Sequence, residues 1–228
     1  MSQDRRRYIL PLAFFLLALA GCGDDGDEET DKRAKPVAGT FVSKVQGSEA
    51  FVSVVAAPPA KGQDKRVVTV FVCDARRLCG VFSASAAANT FTARAAGGEG
   101  EAKGKLTAKA ASGTIEPPDG EPLRYNAPQA TATSGLYDLK VSSRGRLSGA
   151  SAAGVALKGN VELPPPGAGR IRLADGKRLR FDAVAASGDA VRLRPGQVRL
   201  IVLPNRQLRG AGSAPGGGGA AFFIRSSK

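Results

Sequence analysis

The chain has no histidine and no tryptophan, one methionine and three cysteines among 228 residues. Without histidine, the commonest general base and the commonest metal ligand are missing. His-dependent triads and most zinc sites are excluded. With no tryptophan and three tyrosines, a stacking platform for sugars or single-stranded nucleic acid has little to be built from. Carboxylates are also scarce, 20 Asp+Glu against 33 Lys+Arg. After residue 19 no apolar stripe at helical spacing persists over three turns.

What is present is most informative at the N-terminus. Arg5, Arg6 and Arg7 form a basic start, and Tyr8 to Leu19 is a twelve-residue apolar stretch. Twelve residues are too few to cross a hydrocarbon core of ~30 Å as a helix. They fit the apolar region of a secretory signal, and the small residues after it fit a cleavage site. Leu19-Ala20-Gly21-Cys22 is similar to the lipobox of bacterial lipoproteins. The resemblance implies removal of residues 1–21, a diacylglyceryl thioether on Cys22, and further acylation there with chains such as palmitate. It covers only this short segment. Arg6-Arg7-Tyr8-Ile9-Leu10 is also similar to a twin-arginine export signal, and three arginines are an ordinary secretory start too. The export route therefore stays open, but both routes lead to a cell-membrane anchor facing outside the cytoplasm. Several acyl chains on one residue hold essentially permanently, whereas one chain holds only marginally.

Residues 22–36 follow as an acylated cysteine and an acidic tether. Gly23 to Pro36 has six acidic and three basic residues and no large apolar side chain, so it cannot offset the entropy of ordering. Its acids do not match a calcium-loop pattern.

From 37 to 228 the pattern is β throughout. Short alternating runs such as Ala50–Ala56, Arg66–Cys73, Leu136–Val141, Arg178–Asp182 and Gln197–Leu203 are separated by Gly, Pro, Asp and Asn. This spacing predicts an all-β antiparallel sandwich or barrel-like domain. Further strands are expected at Lys105–Lys109, Val155–Leu163 and Val191–Arg194. The expected core includes Phe41, Val52, Val70, Phe82, Leu106, Leu123, Tyr125, Leu136, Leu179, Phe181, Leu193, Leu200 and Val202. An internal echo links Gly113-Thr-Ile-Glu116, Asp119-Gly120 and Leu123–Ala127 with Gly159-Asn-Val-Glu162, Asp175-Gly176 and Leu179–Ala183. It suggests a duplicated β-module, with 37–150 and 151–228 as candidate halves.

Cys73 and Cys79 remain after Cys22 is assigned to lipid. Five residues between two apolar strands suit a hairpin whose ends lie opposite each other, and outside the cytoplasm the pair would oxidise. A redox pair would more often have two intervening residues at a helix start. No catalytic constellation stands out. Gly149-Ala150-Ser151-Ala152-Ala153-Gly154 is one residue too long for a nucleophile elbow and lacks a histidine partner. The sequence points to no catalytic residue, no metal, no cofactor and a non-enzymatic module.

Charge is the remaining signal. From Lys140 onward 16 basic residues face four acids. The arginines alternate with apolar residues, which in strands puts them on the face away from the core. Arg172, Arg178, Arg180, Arg192, Arg194 and Arg199 are expected to share one side of a sheet. That face suits anionic envelope components such as lipid headgroups or wall polymers, and not nucleic acid, since aromatic interleaving is missing. The function expected is a membrane-anchored binding or scaffold lipoprotein. The alternative is an envelope assembly or maintenance factor that carries an apolar ligand in a β-barrel cavity.

Overall fold

The computed structural model describes residues 35–76, 79–95, 99–118, 120–186, 193–216 and 220–227. The signal segment, Cys22 and most of the tether lie outside the described residues, as do Val191 and Arg192. Residues Arg33–Lys228 form one compact unit, with three hydrophobic cores drawn from it alone.

The fold is all-β and antiparallel, with no helix among the described residues. The first eight strands are β1 (Gly39–Lys44), β2 (Phe51–Ala56), β3 (Arg66–Cys73), β4 (Cys79–Ala86), β5 (Thr90–Ala95), β6 (Glu101–Leu106), β7 (Ala110–Glu116) and β8 (Leu123–Pro128). They pair strictly in sequence order. The sheet curls until β1 and β8 nearly meet, through a Phe41–Gln129 bridge and a bond from Ala130 N to Thr40 O of 2.7 Å. We call it barrel one. The second eight are β9 (Gly135–Val141), β10 (Arg146–Ser151), β11 (Ala156–Val161), β12 (Gly167–Arg172), β13 (Arg178–Ala185), β14 (Gln197–Val202), β15 (Leu208–Ser213) and β16 (Ala221–Ser226). They close fully as barrel two, in the circular order β9-β10-β11-β12-β13-β16-β15-β14.

An eight-stranded barrel has an interior just wide enough for side chains to fill it. Both lumens are filled. Phe41, Val54, Val70, Phe82, Phe91 and Tyr125 pack in barrel one; Tyr137, Leu157, Ile171, Phe181, Leu200 and Phe222 pack in barrel two. Each lumen uses glycine to seat its rings. Gly104 faces Phe91 and Gly169 faces Phe181 in register, and a Cβ at either glycine would collide with the opposing ring, at Gly104 with the Tyr125 hydroxyl as well.

A third core lies between the barrels. Val42, Phe51, Phe71 and Cys73 on the outside of barrel one meet Leu136, Ile201, Ala211 and Phe223 on the outside of barrel two. This explains why Phe51-Val-Ser-Val-Val-Ala56 is apolar on both sides of its strand except at the buried Ser53, and why Leu200-Ile-Val202 is apolar throughout. Such strands are covered on both faces.

Several expectations are corrected. The sheets part in the segment 129–134, whereas the 150/151 division falls inside β10, between paired residues. The echo does not mark the modules. β7 pairs directly with β8, but β12 separates β11 from β13, so the similar sequences occupy different positions in their sheets. The expected Lys105–Lys109 strand ends at Leu106, where Thr107 turns the chain through its bond with Ala110. Val155–Leu163 stops at Val161, ahead of three prolines. Leu193 and Arg194 precede β14 outside any strand. Of the expected core, Leu123, Leu179 and Leu193 are only half-buried, and Leu136 serves the inter-barrel core instead of a lumen.

The start of the described chain is pinned to one end of barrel one. Asn89, in the β4–β5 turn, accepts from Val37 N at 2.9 Å and from Arg66 Nη2 at 2.8 Å, and donates to Lys35 O at 3.3 Å. Arg66 is buried, and burial lowers its pKa. Residues 35–37 are thereby fixed at this end of barrel one.

Candidate anion-binding face

Strands β10 to β13 lie across barrel two from β14 and β15, which face barrel one. Their inward residues, Leu147, Leu157, Ile171 and Phe181, fill the lumen. Alternation then sends their partners in sequence outward. The register lines these up in two rows. One runs Lys140, Ser148, Lys158, Arg172, Arg178 across β9 to β13. The other runs Arg146, Asn160, Arg170, Arg180 across β10 to β13. All are exposed. Neighbouring strands are ~4.8 Å apart, and rows two residues apart along a strand are ~6.8 Å apart.

Arg170 stands opposite Arg180, and Arg172 opposite Arg178. Like charges directly opposite each other on neighbouring strands cost ~0.2–1 kcal/mol per pair. The acids nearby are engaged elsewhere. Asp182 meets Arg225 at 4.0 Å and accepts from Ser227 Oγ at 2.8 Å. Asp175 meets Arg206 at 3.7 Å. Glu162 Oε2 accepts from Ala168 N at 3.2 Å. Among the described residues, no ion pair involves Lys140, Arg146, Lys158, Arg170, Arg172, Arg178 or Arg180. Between Arg170 and Arg180 lies a surface depression of about 390 Å³, bordered by Asn160, Glu162 and Ser227. Guanidinium forks at its edges match phosphate or carboxylate oxygens, two hydrogen bonds at a time.

The six arginines expected to share a face do not all do so. Arg172, Arg178 and Arg180 lie in the field. Arg199 is on β14, and its Nε bonds Asp138 Oδ1 of β9 at 2.7 Å, so its charge is matched. Arg194 lies in the loop before β14, its backbone N bonded to Gln197 Oε1 at 3.4 Å. Arg192 is outside the described residues. Arg146, Lys158 and Arg170 belong to the field but were not among the expected site residues. Arg170 had a signal, since Arg170-Ile-Arg172 alternates like Arg178-Leu-Arg180. Lone basic residues in β10 and β11 gave none.

The Cys73–Cys79 disulfide is present at the end of the β3–β4 hairpin, where the two residues pair in register. Cys73 belongs to the inter-barrel core, and Cys79 Sγ lies 3.9 Å from Gly210 O of β15. Beside it Arg209 of β15 reaches over the Phe51 ring, 5.2 Å from its centroid, and to Glu49 at 3.7 Å. Lys44 also bonds Glu49, at 2.6 Å, and holds that carboxyl below its usual range. No group of three or more potential metal ligands occurs among the described residues. Searches against family models, curated proteins and solved structures find no match for this chain.

Proposed function

We propose that this protein is a lipid-anchored binding module on the outer side of the cell membrane. Cys22 carries the anchor, and the β10–β13 face of barrel two holds an anionic envelope polymer bearing phosphate or carboxylate groups. The observation that supports the polymer reading is the pair of arginine–arginine neighbours, Arg170 with Arg180 and Arg172 with Arg178, with no carboxylate between them. A fold that needed those strands only for packing would be more stable with a neutral or alternating pattern there. Two rows of cations across four or more strands suit an extended polyanion better than a single small anion.

The apolar-carrier alternative draws no support from the lumens, which are occupied by the protein's own aromatic and aliphatic side chains. The reading is of a binder and not of an enzyme.

The test uses the Arg33–Lys228 unit, which contains all three cores. Titration with long-chain polyphosphate should show binding that weakens steeply as salt rises. Arg170→Gln with Arg180→Gln should reduce it strongly. No binding at low salt, or unchanged binding by that variant, refutes the polymer site. The anchor is tested separately. The N-terminal peptide from the membrane fraction should be acylated at Cys22, and Cys22→Ser should leave the precursor uncleaved or release the protein.

A further inference from the structure

We propose that the end of barrel one where residues 35–37 are fixed is a second binding surface, a lysine collar that docks on the anionic lipid headgroups of the anchoring membrane. Antiparallel register gathers the β2–β3 loop, the β4–β5 turn and the β6–β7 turn at this end, together with residues 35–38. Lys35, Lys61, Lys65, Lys105 and Lys109 are exposed there. None forms an ion pair among the described residues, and Asp64 is the only acid at this end among them. The opposite end differs. It carries Glu49, Glu101, Glu116 and Glu121, and the first three are paired with Lys44, Arg94 or Lys103. Barrel one is therefore electrostatically polar along its strands, with its positive end where residues 35–37 are fixed.

A second observation points to a lipid surface in preference to a soluble polyanion. Val67, beside Lys65 on β3, is 56% exposed, the one exposed large hydrophobic side chain among the described residues. Phe71 and Cys73, further along the same face, are covered by barrel two. Val67 lies beyond that cover. An exposed apolar side chain two residues from Lys65, at the same end as the other lysines, suits the headgroup layer, where ammonium groups meet phosphates and the methyls leave water. Position completes the argument, and here the inference rests on the proposed anchor at Cys22. Twelve residues separate Cys22 from Lys35. As a coil they reach ~20 Å. That keeps this end close to a surface whose potential decays over ~8 Å at physiological salt.

The experiment is co-sedimentation of the Arg33–Lys228 unit with vesicles of phosphatidylglycerol and phosphatidylcholine, and with phosphatidylcholine alone. The unit should bind the first at low salt and not the second. A lysine near an anionic surface contributes about fivefold to partitioning. Lys61→Gln, Lys65→Gln and Lys109→Gln together should therefore lower vesicle partitioning on the order of 100-fold, with polyphosphate binding kept. Arg170→Gln with Arg180→Gln should do the reverse. The proposal is overturned if the unit ignores phosphatidylglycerol at low salt. It is also overturned if the lysine variant partitions like the wild type, or if vesicle binding is lost in the arginine variant instead. Since the unit lacks Cys22, none of these results depends on acylation.

Discussion

Barrel one and barrel two use the same number of strands, the same antiparallel pairing and aromatic rings seated over glycines, yet the β5–β7 face of barrel one and the β10–β13 face of barrel two treat surface charge differently. On barrel one, cations meet acids across neighbouring strands, as Arg94 does Glu101 and Lys103 does Glu116, and Lys103 also meets Glu101 along its own strand. On barrel two the exposed face of β12 and β13 pairs arginine with arginine. A single architecture therefore accommodates both patterns. The unpaired field is not something an eight-stranded barrel requires, and that makes it the best place to look for a partner.

The comparison can be broken most forcefully at the cores. Phe181→Ala empties the ring seat over Gly169 and should destabilise by ~3–5 kcal/mol, and Phe41→Ala should do the same in barrel one. Because the third core joins the barrels, both variants should still melt in a single calorimetric transition. Two transitions in either would mean that the barrels are independent. Next in size is the disulfide. Replacing Cys73 and Cys79 by Ala should cost ~2 kcal/mol in denaturant titration, since the closed loop is short. Because Cys73 lies in the shared core, the loss should extend to barrel two probes.

The charge contrast itself is tested by a gain. Arg180→Gln removes a like-charge neighbour and should raise stability by up to ~1 kcal/mol while weakening polyphosphate binding. A loss of stability instead would show that the arginine is structural. The smallest effect concerns pH. Lys44 depresses the Glu49 pKa in the folded state, so this carboxylate stabilises above its unfolded pKa. That contribution is lost as pH falls through the lowered folded value. Glu49→Gln should therefore flatten the acid limb of the stability profile slightly, with Arg209 losing its partner across the barrels.

The facing of a strand was legible from its own residues more often than its ends were, as Lys105–Lys109 and Val155–Leu163 overrun β6 and β11. Alternation fixed which side of β12 and β13 is wet, and Cys73 and Cys79 declared a hairpin. What depends on neighbours was not legible. Arg199 has the same local pattern as Arg172, but β14 pairs with β9, which supplies Asp138. No local rule reveals that β13 is followed by a strand on the far side of the barrel. The inter-barrel core was more accessible. Phe51-Val-Ser-Val-Val and Val70-Phe-Val-Cys73 are apolar at adjoining positions, as strands buried on both faces must be.

That jump from β13 to β14 also sets an order of events during synthesis. Barrel one is complete once residue 130 has emerged, because every strand finds its neighbour in the segment just made. Barrel two is not. Until β14, β15 and β16 arrive, β9 and β13 are open edges with unsatisfied backbone groups, and Phe181 and Leu139 border a half-built lumen. A chain stalled or clipped before Ala221 would present two sticky strand edges beside a finished barrel. Such a species invites strand pairing between molecules, so quality control on this protein should fall most heavily on its last forty residues.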